Sequence, residues 1–460
     1  METLKNKFKT LITNKLVLIC LCYALIYFLS GFNKWIQIIN CILALVCFIV
    51  LTPQEAFCLF LFSHCFTLSN IIYSFTFCAV LVEFVLIMYV RYINGVNQRK
   101  YKVHKPLATI FTIIVIASSI ISPFFGICSH AIFYIIYLPL FYLFITMRKE
   151  FNIRQAFSYL LYGLILSVVL AGFSLLFNKH YEMSVILQNR FRAYASNPNY
   201  LYTPAIFLAI YYMYLYLKID LGHIKFYTIY TVCALIILST SSKTGLFFLA
   251  LFTLIFMILY LSADFKKRFK YALILLAIVL IVGIVLWQQI LTTINRLFNT
   301  NDNLLTSILT NRDQIWLVYL QQWCENPFTF FFGRGIFSAE PFVPIEGARV
   351  ASHNLYVFSL YRFGVIGTAA FAYCIYLVIK HHKDYKFSFI AFMPMLWYIL
   401  QGMCDNVFRP FNIMYIVLCF MVMFESKKEI KSNSQIKKER FQRLKQQKLN
   451  NNVSNKTNNH

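Results

Sequence analysis

Long apolar stretches alternate with short polar ones from one end of the sequence to the other. A helix crosses a bilayer core of about 30 Å with about 20 apolar residues, so each charge-poor stretch of that order bounded by charge, Pro or Gly predicts a span. Such stretches lie at 16–32, 35–51, 55–69, 71–90, 107–127, 131–147, 156–177, 200–217, 226–240, 244–262, 271–290, 354–379, 387–403 and 411–424. The third is short and reads equally as a re-entrant segment. The pattern therefore predicts an all-α, polytopic integral membrane protein with about 14 transmembrane helices (12–14). A large extracytoplasmic loop separates the span ending near 290 from the one starting near 354. Three blocks follow: N-terminal transmembrane helices over 1–177, a second membrane domain over 178–424 with external loops 178–199 and 291–353, and a tail over 425–460.

Composition agrees with the pattern, since a chain that is 60% hydrophobic and only 13% charged lies far from the soluble globular range. Charge then orients it. With the N-terminus inside, 31 of the 42 Lys and Arg fall in cytoplasmic segments, ten fall outside, and Arg362 lies within a span. That asymmetry is what the positive-inside rule demands of a correct topology, with both termini cytoplasmic. The net charge of +25 thus reports orientation and contact with anionic membrane lipid, and no nucleic-acid partner is expected. The basic head of "METLKNKFKTLITNKLVLICLCYALIYFLSGF" precedes a long apolar run without a small-residue cleavage site, so this reads as the first span. The tail is basic, then Asn-rich, and reads as disordered. Thirteen cysteines without C-x-x-C spacing give no disulfide or zinc framework, and no metal or other cofactor is expected.

Polar chemistry gathers on the extracytoplasmic side. Four segments carry it: "NRFRAYASNPNYLY", "STSSKTG", "LTNRDQIWLVYLQQWCENPFTFFFGRGIFS" leading into "ARVASHN", and "CDNVFRP". They offer the cations Arg190, Arg192, Lys243, Arg296, Arg312, Arg334 and Arg349 against the acids Asp302, Asp313, Glu325, Glu340, Glu346 and Asp405. A guanidinium binds phosphate bidentately and an ammonium binds it as a point charge, so such a cluster suits a phosphorylated lipid head group. The competing reading pairs each arginine with its own loop. Of the external histidines, His130, His180 and His353, only the last opens a span directly after a long loop, with Ser352 placed to cap the helix. The positive end of a helix dipole favours a neutral imidazole, and a neutral imidazole can serve as a general base. The alternative is an interfacial histidine with no chemistry. Arg362, about two and a half turns below His353, is an intramembrane charge and so a functional candidate, or the partner of a buried acid such as Glu83. Tyr194, Tyr200 and Tyr202 suit either carbohydrate stacking or an aromatic belt.

In order and sidedness these motifs resemble the O-antigen ligase and polymerase superfamily of bacterial envelope glycosyltransferases. The resemblance runs over roughly 185–410 and rests on Arg312 and Trp316, Pro327, Gly333 and Gly335, the pair His353–Asn354, and Gly364 and Gly367. It implies transfer of a glycan from an undecaprenyl-diphosphate-linked oligosaccharide to a hydroxyl of an acceptor glycan, in the bacterial inner membrane and on its outer face. By position, His353 matches the proposed base and Arg312 an arginine proposed to hold the diphosphate. Lys243 stands where the family usually has arginine, which keeps the charge and loses the fork. Arg192 is a third candidate for sugar or phosphate, and Asn354, Asp405 and Arg362 are supporting candidates. No Asp-x-Asp pair occurs, so the resemblance and the sequence agree on a donor whose charge is neutralised by side chains.

The leading expectation is a polymerase of O-antigen or capsule repeat units, with a chain-length regulator as a partner. A ligase that attaches finished polymer to a lipid A core uses the same chemistry; the segment before the pair, "RVAS", lacks the further histidine two residues upstream expected of many ligases. A flippase for lipid-linked oligosaccharides is the reading from another class. Such transporters are built from repeats with a midplane site, and no repeat relates the halves of this chain.

Overall fold

The computed structural model describes residues 14–66, 80, 82–88, 113–114, 116–125, 151–177, 184–187, 190–195, 197–219, 221–263, 265–298, 312–380, 388–404 and 414–423. The described chain is dominated by helices. Five are long and apolar enough to cross a membrane: Ile153–Phe177, Pro198–Lys218, Lys243–Ser262, Arg268–Val285 and Leu355–Tyr373. Shorter apolar helices lie at Lys15–Leu29, Lys34–Val50, Ile116–Phe125, His223–Ser239, Phe389–Cys404 and Met414–Met423. The expected span 131–147, the tail and Asp405 lie outside the described residues.

We number the helices α1 (Lys15–Leu29), α2 (Gln37–Val50), α3 (Pro53–Ser63), α4 (Ile153–Ser174), α5 (Pro198–Ile219), α6 (His223–Ser239), α7 (Lys243–Ala263), α8 (Phe265–Val285), α9 (Trp287–Phe298), α10 (Arg312–Trp323), α11 (Pro327–Phe332), α12 (Leu355–Lys380), α13 (Phe389–Cys404) and α14 (Met414–Met423). The short helix α3 begins at a capping box of Thr52 and Glu55 and buries every residue from Ala56 to Ser63. Eleven residues rise only about 16 Å, so the described helix is too short to cross a bilayer. It lies against α4 at Gly163, where a Cβ would come within 2.5 Å of the Phe62 carbonyl oxygen.

At the centre stands α5, almost wholly buried and in contact with α4, α6, α7 and α13. Its aromatic filling includes Phe207 packed on Trp397 and Tyr415, and Tyr211 edge-on to Phe157. By contrast α8 leaves Leu273, Leu276, Leu280, Ile281 and Ile284 exposed, as a helix facing acyl chains would.

The segment expected as one external loop, 291–353, contains structure of its own. It holds part of α9, then α10 and α11, and a two-stranded hairpin of β3 (Phe342–Val343) and β4 (Ala348–Arg349), with Phe342 opposite Arg349. A second such hairpin, β1 (Ile186–Leu187) with β2 (Arg190–Phe191), lies in the first external loop. These are the described exceptions to the all-α expectation. The expected span 354–379 is α12, and it is interrupted at Gly364, whose φ of 64° and ψ of −172° are not helical.

Candidate functional site

Three of the four polar motifs supply ends of helices to a single end of the bundle. The first starts α5 at Pro198, the second starts α7 at Lys243, and the third starts α10 at Arg312 and leads into α12 at Leu355. The fourth begins where α13 ends, at Cys404.

Side chains tie these ends together. Asn199 Oδ1 accepts from Arg190 Nη2 at 3.0 Å and from Ser242 Oγ at 3.2 Å, and Arg190 Nε donates to the Thr240 carbonyl at 2.8 Å. The turn that carries Lys243 is thereby fixed to the start of α5. One turn on, Tyr202 lies under Gly245, where a Cβ would meet its ring at 3.2 Å, and its hydroxyl accepts from Gln401 Nε2 at 2.6 Å. Gln401 belongs to the last turn of α13. The carbonyls of that turn receive the other half of the site: Arg312 Nη1 donates to the Cys404 carbonyl, and Asn354 Nδ2 donates to that of Met403 at 3.4 Å. Arg312 and Asn354 thus converge on adjacent peptide units.

The approach to His353 differs from expectation in one respect. Asn354, not Ser352, caps α12: its Oδ1 accepts from the backbone of Tyr356 at 2.9 Å and of Val357 at 3.1 Å. Ser352 Oγ turns instead to the Asn354 backbone, donating to its carbonyl at 3.0 Å. His353 therefore sits one residue outside the helix, with its backbone left-handed at φ 50°. Trp316, one turn along α10 from Arg312, holds the neighbouring peptide by donating from Nε1 to the Ser352 carbonyl at 2.8 Å. Tyr319 does the same for Val350 at 2.9 Å. One face of α10 thus fixes the peptides leading to His353 and carries Arg312 at its start.

Backbone strain singles out the same place. Among the described residues, the non-glycine positions with positive φ are Ala193, Ser241 and His353, one in each of the three motifs. A left-handed conformation costs such residues of order 1–3 kcal/mol and persists where the surroundings impose it, as at binding and catalytic sites.

Arg192 has a more local environment. Its Nε and Nη2 both donate to the Ser184 carbonyl, at 3.0 and 2.8 Å, closing the β1–β2 hairpin on itself. Burial draws its pKa down from the ordinary value, though a guanidinium remains charged at any physiological pH. Arg190, two residues earlier, is the arginine that the structure ties to the Lys243 turn. Arg362 is completely buried, and its Nη1 donates to the carbonyl of Ile336 at 3.0 Å, to the carbonyl of Ser338, and to Ser338 Oγ at 3.1 Å. Those oxygens, and not the carboxylate of Glu83, receive Nη1. Arg334, half-buried with its guanidinium over the rings of Phe125 and Tyr361, pairs with Glu325.

Among the described residues, no group of His, Cys, Asp and Glu could hold a metal ion. A family model described as O-antigen ligase matches residues 228–372. The matched segment contains Lys243, Arg312, His353, Asn354 and Arg362 and stops short of Arg192 and Asp405. No curated protein matches the chain.

Proposed function

We propose that this chain, whose residues 228–372 match the O-antigen ligase family model, belongs to the O-antigen ligase and polymerase superfamily and polymerises lipid-linked repeat units of an O-antigen or capsule on the outer face of the bacterial inner membrane, with both termini cytoplasmic. The observation that carries the reading is the convergence just described. His353 is held in a strained backbone by the helix that Arg312 begins, while Arg312 and Asn354 share the end of α13, and Lys243 borders the same helix end through Tyr202 and Gln401.

Such a site can run the reaction with its own side chains. The acceptor hydroxyl gives its proton to His353 as its oxygen bonds to the anomeric carbon of the donor. The bond from that carbon to the diphosphate breaks, and its electron pair leaves on undecaprenyl diphosphate. Attack from the face opposite the leaving group inverts the anomeric centre. Arg312 and Lys243, with Arg192 nearer the hairpin, neutralise the departing charge, an electrostatic contribution worth several kcal/mol in a preorganised site. Asp405, following Cys404 directly, would orient a base or a cation.

Ligation to a lipid A core needs the same chemistry, and Ala351 stands where many ligases are expected to carry a further histidine. The product separates the two readings: laddered polymer on the carrier means polymerase, and loss of polymer from the lipid A core alone means ligase.

Two variants test the assignment in membranes supplied with lipid-linked repeat unit. His353→Ala is expected to lower polymer formation about 100-fold or more while inserting normally. Polymer of normal length and yield from His353→Ala removes the base from this scheme. Arg312→Lys is expected to fall between wild type and Arg312→Ala, the latter being about 100-fold slower. Lysine keeps the charge and loses the fork, so an unchanged rate in Arg312→Lys reduces residue 312 to a tether of the Cys404 peptide.

A further inference from the structure

The segment 327–338 lies within what hydropathy marks as external loop, yet its backbone is built into the middle of a membrane helix. The amide of Arg334 donates to the Tyr361 carbonyl at 2.8 Å and that of Gly335 to the Arg362 carbonyl at 2.9 Å. These are carbonyls that the break at Gly364 would release from the helix ladder. Contact is backbone on backbone: a Cβ at Gly333 would lie 2.5 Å from the Arg362 carbonyl, and one at Gly364 would lie 2.5 Å from the Gly333 nitrogen. On its other side the loop meets the apolar helix Ile116–Phe125. There the amide of Ile336 donates to the Ser118 carbonyl at 3.3 Å and that of Phe337 to Ser122 Oγ at 2.8 Å. With Gly333 bonded to Thr329 and Ser338 to Gly335, every backbone N–H from 333 to 338 has a partner.

Depth follows from helix geometry. The 26 residues of α12 rise about 39 Å, and the stretch before Gly364 about 13 Å of that. With a hydrocarbon core of about 30 Å, the break lies inside the core even if the whole excess length projects from the N-terminal end. Irregular backbone is tolerated at that level only when its polar groups are satisfied by protein. For the N–H groups of 333–338 the accounting above meets that condition, and donors reach the carbonyls of Gly335, Ile336 and Ser338 from Ser338 Oγ and Arg362 Nη1. Leading into this loop, α11 has the sequence PFTFFF, without a charge, and leaves Phe328, Phe331 and Phe332 each nearly half exposed. The charged residues of the later loop, Glu340, Glu346 and Arg349, lie instead about the β3–β4 hairpin.

We infer that α11 and the loop 333–338 form a re-entrant element within one leaflet, and that the phenylalanine face of α11 is covered by phospholipid acyl chains. The inference concerns topology and holds whether or not His353 is a base. It is tested on the full chain in phosphatidylcholine nanodiscs, open to water on both sides, with single replacements Phe331→Cys, Phe328→Cys and, as the aqueous reference, Glu346→Cys. A charged maleimide is applied, and each site is read by peptide mass spectrometry so that native cysteines are resolved. Glu346→Cys is expected to label fully, with labelling lost in Phe328→Cys and Phe331→Cys; an uncharged fluorophore attached to Phe331→Cys should be quenched by nitroxides on the acyl chains and spared by aqueous iodide. Labelling at 331 and 328 as complete as at 346 overturns the inference in favour of a water-exposed loop. Protection at both sites without acyl-chain quenching overturns it in favour of a protein partner, such as a second copy of the chain.

Discussion

Gly364→Ala is expected to destabilise the membrane domain by about 3 kcal/mol or more, enough to strip most of the folded protein from a marginally stable chain. Two costs combine. At φ 64° and ψ −172° the backbone occupies a region open essentially to glycine alone, so any side chain carries conformational strain of order 1–3 kcal/mol. The new methyl would also sit 2.5 Å from the Gly333 nitrogen and the Phe331 carbonyl carbon, both backbone atoms that cannot rotate away. Relieving that collision means withdrawing the loop that supplies donors to the Tyr361 and Arg362 carbonyls. The measurement is the thermal midpoint of detergent-solubilised protein, followed as the monodisperse fraction after heating. Gly172→Ala is the control: that glycine lies in α4 with nothing within 4 Å of a built Cβ, so alanine should be neutral or stabilising by up to about 1 kcal/mol. A Gly364→Ala midpoint equal to that of wild type would mean that the helix is not broken there.

Residue pattern made some of this architecture legible. The spans expected at 200–217 and 244–262 appear as Pro198–Lys218 and Lys243–Ser262, because proline or lysine bounds each apolar run. The gathering of motifs at one end of the bundle was also readable, since charge asymmetry assigns them a common side, whereas the helix that begins at Arg312 falls in a segment that reads as external loop. What escaped is tertiary. The run 354–379 is continuous in hydropathy, so nothing along it marks a break whose carbonyls are satisfied by residues 334 and 335. The glycines of "FFGRGIF" entered the reading only through the resemblance, and it is their contact with Arg362, Gly364 and Ser122 that reveals the loop's place among the membrane helices.

Ser352 was the expected cap, yet Asn354, of a residue type that caps equally well, takes that place while Trp316 holds the Ser352 carbonyl. Arg362 invited a search for a buried acid, because an intramembrane charge is costly. A set of carbonyls serves the same need, and carbonyls leave no mark in a sequence. For Arg190 and Arg192, two residues apart, composition offers no ground for choosing the one that reaches the Lys243 turn.

Arg362→Ala is expected to cost at least about 3 kcal/mol, by a route opposite to that of Gly364→Ala. The glycine substitution pushes the loop out, whereas the arginine substitution removes what draws it in. Bonds from a charged donor are each worth roughly 1.5–3 kcal/mol, and a buried acceptor left without one carries a further desolvation cost. Arg362 Nη1 alone serves the Ile336 carbonyl and both oxygens of Ser338, and its guanidinium lies 5.0 Å from the centre of the Phe358 ring. Hydrogen exchange gives the local reading: amides 333–338 should be protected in wild type and lose protection in Arg362→Ala, while those of α5 keep theirs. Arg362→Lys should recover part of the protection, because an ammonium can reach one carbonyl and cannot span the set. Arg362→Met, which keeps the apolar stem and drops the charge, separates packing from hydrogen bonding. If methionine restores both the thermal midpoint and the exchange protection, the guanidinium is filling space, and the loop is held by its own amides on α12.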